Sequence, residues 1–327
     1  MAKIVSHLNL EQNMFQKVFT KLCNTKSAWQ AWSDFVEMTA ISISNSFEIR
    51  GKVKQEREER YLNIIGQYSK SEQAVFPDLL GILVNAMEQN PEQDFLGEMF
   101  MALELGSHWK GQFFTPYNLC KAMAQLTVSK APELLEKKQW VGIHDPACGA
   151  GATLIGARNV LELMKIGGTQ AFFVGQDIDR TAAMMCYIQL SLLGCAGYVV
   201  IADTLVHPVT GPLLWPNLTE HQEAWFMPLN FMEPAWVLRL SRTWRGMETD
   251  EEPICNEKAT ATPPAEDNWH EIVTATQAVA EIATTTPKEP EPLPKMQRKG
   301  KNAAKKAAEA EPEVTMLDTE SGQLTLF

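Results

Sequence analysis

The sequence predicts a mixed α/β protein: a helical amino-terminal region, a partial doubly wound parallel sheet and a disordered acidic tail. Three observations lead there. Up to about residue 105, apolar residues recur at three- and four-residue spacing, the period of a helix face. From Trp140 onward, short apolar runs alternate with helical stretches, and strands separated by helices of this length imply a parallel sheet. After Met247, Thr, Pro, Glu, Ala and Lys dominate, and such a composition buries too little surface to offset chain entropy. The expected division is 1–105 helical, 106–245 α/β and 246–327 tail.

In the first region, Met14, Val18 and Leu22, then Leu79, Leu80, Leu83 and Met87, mark helix faces. The charged run Lys52–Arg60 reads as a solvated helix face. In the second, Trp140–His144 is a strand, followed by a glycine-rich turn and a helix over about 152–164. Ala171–Gly175 is a second strand, Arg180–Leu193 a second helix and Tyr198–Ala202 a third strand. Ala182–Ala202 is apolar and about long enough to span a bilayer. Gln189, Ser191, Gly194 and Gly197 interrupt it, however, and a buried helix ending at Gly194 followed by a strand explains it better. Between Val206 and Arg245 the chain is rich in Trp and Pro without a clear period; its tryptophans are expected to cover a sheet face.

The net charge of −11 is uneven. From Met247 there are 16 acidic and 8 basic residues, a net of −8, which leaves the body near −3. Such a body is compatible with DNA, because local patches decide phosphate contact. The six cysteines form neither CxxC pairs nor zinc-like spacings with histidine, and no metal site is expected. Their pattern fits a reducing cytoplasm, and the amino terminus lacks the apolar run of a signal peptide.

Asp145-Pro146-Ala147-Cys148-Gly149-Ala150-Gly151 lies between strand and helix. Glycines there let the backbone turn tightly and approach a ligand. Alone it is equally a dinucleotide-binding turn of an oxidoreductase. Asp177, in Gly175-Gln176-Asp177-Ile178-Asp179, stands at the end of the second strand, where a carboxylate accepts ribose hydroxyls. The third strand ends in Ala202-Asp203-Thr204-Leu205, where a carboxylate can accept an adenine amine. Upstream lies Gly111-Gln112-Phe113-Phe114-Thr115-Pro116-Tyr117, which NAD-binding folds lack before their first strand.

In this order and spacing the four segments resemble the amino-group DNA methyltransferases, and among them the modification (M) subunit of type I restriction–modification systems. Asp94–Phe100 is similar to that family's helix before GQFFTP. The resemblance implies a Rossmann-like domain that binds S-adenosylmethionine. Gln112, Phe113, Phe114, Thr115, Pro116 and Tyr117 would close over the methionine end. Asp145, Ala147, Cys148, Gly149 and Gly151 would cradle the cofactor, with Asp177 on the ribose and Asp203 on the adenine. It also implies DNA as substrate and a specificity or methylase subunit as partner, with no membrane.

The family activates adenine with an Asn-Pro-Pro-aromatic tetrad: the asparagine and a backbone carbonyl accept the amine's hydrogens, and the ring stacks on the flipped base. No such tetrad follows Val206. The nearest fragments are Trp215–Leu218 and Pro228-Leu229-Asn230-Phe231, in which Asn230 and Phe231 are the amide and the ring. Two readings stay open. One is an adenine-N6 DNA methyltransferase with a remodelled catalytic motif; the other is an inactive cofactor-binding subunit or accessory protein.

The chain ends Gln323-Leu324-Thr325-Leu326-Phe327, which resembles the peptide that docks bacterial proteins on the DNA sliding clamp. Leu324, Leu326 and Phe327 are apolar anchors and Gln323 an orienting amide. A flexible tether would raise the body's local concentration on DNA. A short clamp-docking methylase fits a phage or mobile-element origin.

Overall fold

In the computed structural model the described residues are 8–48, 50–105, 114–244 and 323–325. Six helices come first: α1 (Leu10–Phe19), α2 (Ala28–Asn45), α3 (Gly51–Ile65), α4 (Lys70–Gln73), α5 (Val75–Gln89) and α6 (Phe95–Ala102). Side-chain caps start several of them. Asn9 accepts from the Gln12 amide of α1, which reciprocates in a capping box, and Ser27 accepts from Gln30 at α2. Their apolar faces meet in an aromatic cluster of Phe15, Phe19, Trp32, Phe35, Phe95 and Phe100, all buried. Burial of each such ring stabilises the fold by roughly 1.5–3 kcal/mol.

Next come α7 (Tyr117–Thr127), α8 (Ala131–Lys137), β1 (Val141–Asp145), α9 (Ala152–Leu163), β2 (Ala171–Asp177), α10 (Arg180–Leu192) and β3 (Ala196–Ile201). These elements match the predicted alternation. Gly194 adopts a φ of +66° just past α10, so the apolar stretch splits into helix and strand as expected. Among the described residues no helix is long and apolar enough to cross a membrane.

The sheet order is β4-β3-β2-β1-β5, where β4 is Glu223–Phe226 and β5 is Gln323–Thr325. Strands β1, β2 and β3 pair in parallel. Side chains alternate across the sheet: Val141, Ile143 and Phe173 join the core under α9 and α10. Phe172, Val174, Tyr198 and Val200 face the second core, closed by Leu214 and Trp236 of α12 (Pro234–Trp244). All of these elements fall in one compact unit.

Three expectations change. The aperiodic segment after residue 206 contains a strand, and β4 runs antiparallel to β3. Its pattern is hidden because four residues are too short for a period. The charged run is not wholly solvated either. Arg57 is buried, its guanidinium lies 3.6 Å from the Trp225 ring centroid, and it donates to the Ala224 carbonyl at 3.2 Å. Finally, Gln323–Thr325 pairs with β1 rather than standing apart from the fold. The rest of the expected tail, including Leu326 and Phe327, lies outside the described residues. Of the tryptophans, Trp225 and Trp236 are buried against the sheet as expected, while Trp215 is half exposed.

Candidate functional site: the carboxyl ends of the parallel strands

The loop after β1 is shaped by its own side chains. Asp145 accepts from the Ala147 amide at 3.0 Å and from the Thr153 hydroxyl, tying strand end to helix start. Gly149 and Gly151 adopt positive φ values of +53° and +97°. A Cβ at Gly151 would stand 3.2 Å from the Cys186 Cα, and one at Gly149 would stand 3.0 Å from the Phe114 ring. Both positions therefore require glycine twice over, by conformation and by space. Phe114, from the GQFFTP segment, thus closes over the loop, and its ring meets Phe100 at 5.3 Å.

Asp177, at the end of β2, is half-buried. Its carboxylate accepts from the Gly149 amide at 2.8 Å and from the Asp179 amide at 2.8 Å. Burial raises its pKa, opposed by those two amides. Asp145 is raised for the same first reason, with Thr153 and Ala147 opposing. Asp203, at the end of β3, accepts from the Leu205 amide at 2.9 Å. Cys148 is buried and hydrogen-bonded to Cys186, and that bond together with burial holds its thiol well above the usual range.

The structure thus brings Phe114, the 145–151 loop, Asp177 and Asp203 to one end of the sheet. Thr115 and Pro116 are exposed at the start of α7. Tyr117 turns inward instead: it is buried, and its hydroxyl accepts from Asn159 at 2.7 Å. Gln112 and Phe113 lie outside the described residues. Asn230 and Phe231 are not brought to this end. Asn230 is fully buried on a short helix, α11 (Leu229–Met232). It accepts from the Gly197 amide at 2.8 Å and donates to the Gly197 carbonyl at 2.7 Å. Gly197 opens β3, so the pair stands at the opposite end of the strand from Asp203.

Two glutamines missed in the sequence hold the site together. Gln176 is fully buried, donates to the His207 carbonyl at 2.8 Å and accepts from the Val209 amide at 3.2 Å, fixing the loop that carries Asp203. Gln189 donates to the Ala150 carbonyl at 2.9 Å and to Asp94 at 2.8 Å, and accepts from Leu96 at 3.1 Å. It joins α6, α10 and the loop. Burial pushes Asp94 up to about 6. The available signal was a lone amide inside an apolar run, which a folded chain keeps only where it is fully bonded. Ile178 and Leu205, each two residues or fewer beyond a site aspartate, are 69% and 94% exposed, apolar surfaces left beside the carboxylates.

A cleft of about 400 Å³ lies between α3 and β4, lined by Arg50, Arg57, Arg60 and Arg180. Glu48 pairs with Arg50 and Arg57, Glu37 with Arg60 and Arg180, and Glu223 with Arg180. Each of the four arginines is thus paired with a glutamate, and the network stitches helices to sheet.

The parallel strands β1 to β3 with their connecting helices are of the doubly wound α/β class. Residues 94–221 match the family model for N-6 DNA methylase. Among solved structures, it is similar to a Listeria monocytogenes protein assigned as a class I S-adenosylmethionine-dependent methyltransferase. Identity is 19%, over 62% of this chain and 57% of that one, with a TM-score of 0.35. It is also similar to the type I restriction–modification methyltransferase subunit from Streptococcus thermophilus, at 15% identity over 64% of this chain and 48% of that one, TM-score 0.30. The chain spans about half the length of each. No curated protein matches it.

Proposed function

We propose that the chain is the S-adenosylmethionine-binding part of an adenine-N6 DNA methyltransferase. The observation that carries this reading is the meeting of the 145–151 loop, Asp177 and Asp203 at one end of the sheet, with Phe114 over Gly149. The donor set fits the cofactor. An ionised carboxylate has about four acceptor positions. Asp177 spends two on Gly149 and Asp179, leaving acceptors for ribose hydroxyls. Asp203 keeps free acceptors for the adenine amine, and the exposed Ile178 and Leu205 offer apolar faces to a flat ring. Phe114 and Thr115, with the loop, would hold the methionine end and keep water from it.

When bound, the cofactor supplies an electrophilic methyl group. The chain's residues then bind and orient it, but accepting the adenine amine's protons needs an amide beside a stacking ring. Asn230 has both its polar atoms committed to Gly197, so we infer that these groups come from a specificity or methylase partner subunit acting on DNA. The second reading, an S-adenosylmethionine-binding subunit without transfer activity, draws on that same commitment. Titrating the chain with S-adenosylmethionine tests the first part, and labelled methyl transfer to unmodified DNA, with and without partner subunits, tests the second. Binding without incorporation under every combination sinks the enzyme reading.

The terminal Gln323–Phe327 peptide is proposed to dock on the DNA sliding clamp. Pull-down with purified clamp should succeed and should fail once Leu326 and Phe327 are removed.

A further inference from the structure

Only β5 lies outside β1 in the sheet, so without it β1 would be an edge strand. Val141, Gly142 and Ile143 are buried, and the strand carries no lysine, proline or bulge of the kind that protects a free edge from other strands. The opposite edge, β4, carries Glu223 in an ion pair with Arg180. Val141 donates to the Gln170 carbonyl at 2.8 Å, on the β2 side. Alternation then turns the amide and carbonyl of Gly142 and His144 to the other side, toward β5. Leu324, in register with Ile143, is the residue whose own backbone groups can meet them.

The ladder is three residues long, and 78 residues, 245–322, separate it from the end of α12. A three-residue ladder joined to the rest of the fold across so many residues is weakly held. We propose that the β1 edge is a strand-accepting surface. Its occupant is the chain's own C-terminal segment at Gln323–Thr325, which exchanges on and off the edge. Because β1 runs directly into Asp145 and the 145–151 loop, the occupied edge steadies the loop's entry. One consequence rests on the clamp reading above: a terminal peptide paired with β1 is withheld from a clamp, and a docked peptide leaves the edge open.

Amide hydrogen exchange, read residue by residue by NMR, tests the proposal without any clamp, so a clamp that fails to bind leaves it standing. Leu324→Pro, which removes the central donor, and a chain truncated after Asp318 should each speed exchange at Gly142 and His144 by about tenfold or more. Val141 and Ile143, bonded toward β2, should be unchanged and report that the sheet is intact. A synthetic Gly-Gln-Leu-Thr-Leu-Phe peptide added to the truncated chain should restore the slow exchange. Unchanged exchange at Gly142 and His144 in both variants overturns the pairing. Faster exchange that the peptide does not reverse overturns the strand-accepting edge.

Discussion

The two ends of the sheet use polar side chains in opposite ways. At the carboxyl end of the parallel strands, the bonds of the Asp177 and Asp203 carboxylates go to backbone amides and leave further acceptor positions. At the other end and in the segment beyond residue 206, polar groups are consumed inward. Asn230 holds both backbone groups of Gly197, the Trp236 indole donates to the Gly168 carbonyl at 2.6 Å, and Gln222 donates to the His207 and Pro208 carbonyls. On the proposed reading the first region receives the cofactor, while the second closes the sheet. A segment that spends its amides on the backbone has none left for a substrate.

Substitutions can break that contrast. The largest effect is expected at Asp177: Asp177→Ala should weaken S-adenosylmethionine binding by about 100-fold or more, as charge-assisted hydrogen bonds contribute about 1.5–3 kcal/mol each. Calorimetric titration measures it. Asn230→Ala should instead destabilise the fold by roughly 2–4 kcal/mol, since it leaves two buried backbone groups unpaired, while affinity for the cofactor stays within about twofold. Urea unfolding and the same titration separate the two quantities.

Asp94 sharpens the contrast through pH. Its folded pKa of about 6 lies above the ordinary 3.8, so its contribution to stability is fully present below about 3.8 and lost as pH rises through about 6. The loss is on the order of 3 kcal/mol at 1.36 kcal/mol per pH unit. Asp94→Asn should flatten the stability profile across that window, measured by urea midpoints at stepped pH. The smallest effect is expected at Phe231, 39% exposed: Phe231→Ala should cost less than about 1 kcal/mol and leave binding and methyl transfer unaltered.

Much of this was legible in the sequence because period and turn chemistry are local. β1, β2 and β3 and the helices between them follow from apolar runs bounded by glycine and aspartate. The 145–151 loop follows from glycines that only such a turn needs. What was not legible depends on contacts distant in sequence. Arg57 looks like a solvated charge until Trp225, far along the chain, supplies a ring to stack on. Asn230 beside Phe231 looks like a catalytic pair until Gly197 takes both of its polar atoms. β5 carries no sign of its partner, because a parallel edge pairing is chosen by the strand it meets. Gln189 marked itself as out of place in an apolar run, but only Asp94, Leu96 and Ala150 explain why it is there.

The most direct test of the account is isothermal titration of S-adenosylmethionine into three proteins: the intact chain, Asp177→Ala and Asn230→Ala. One site per chain is expected for the intact protein and for folded Asn230→Ala, with affinity weakened about 100-fold or more in Asp177→Ala. No binding to the intact chain, or a loss in Asn230→Ala that matches the one in Asp177→Ala, would contradict the division of the sheet into a ligand end and a closing end.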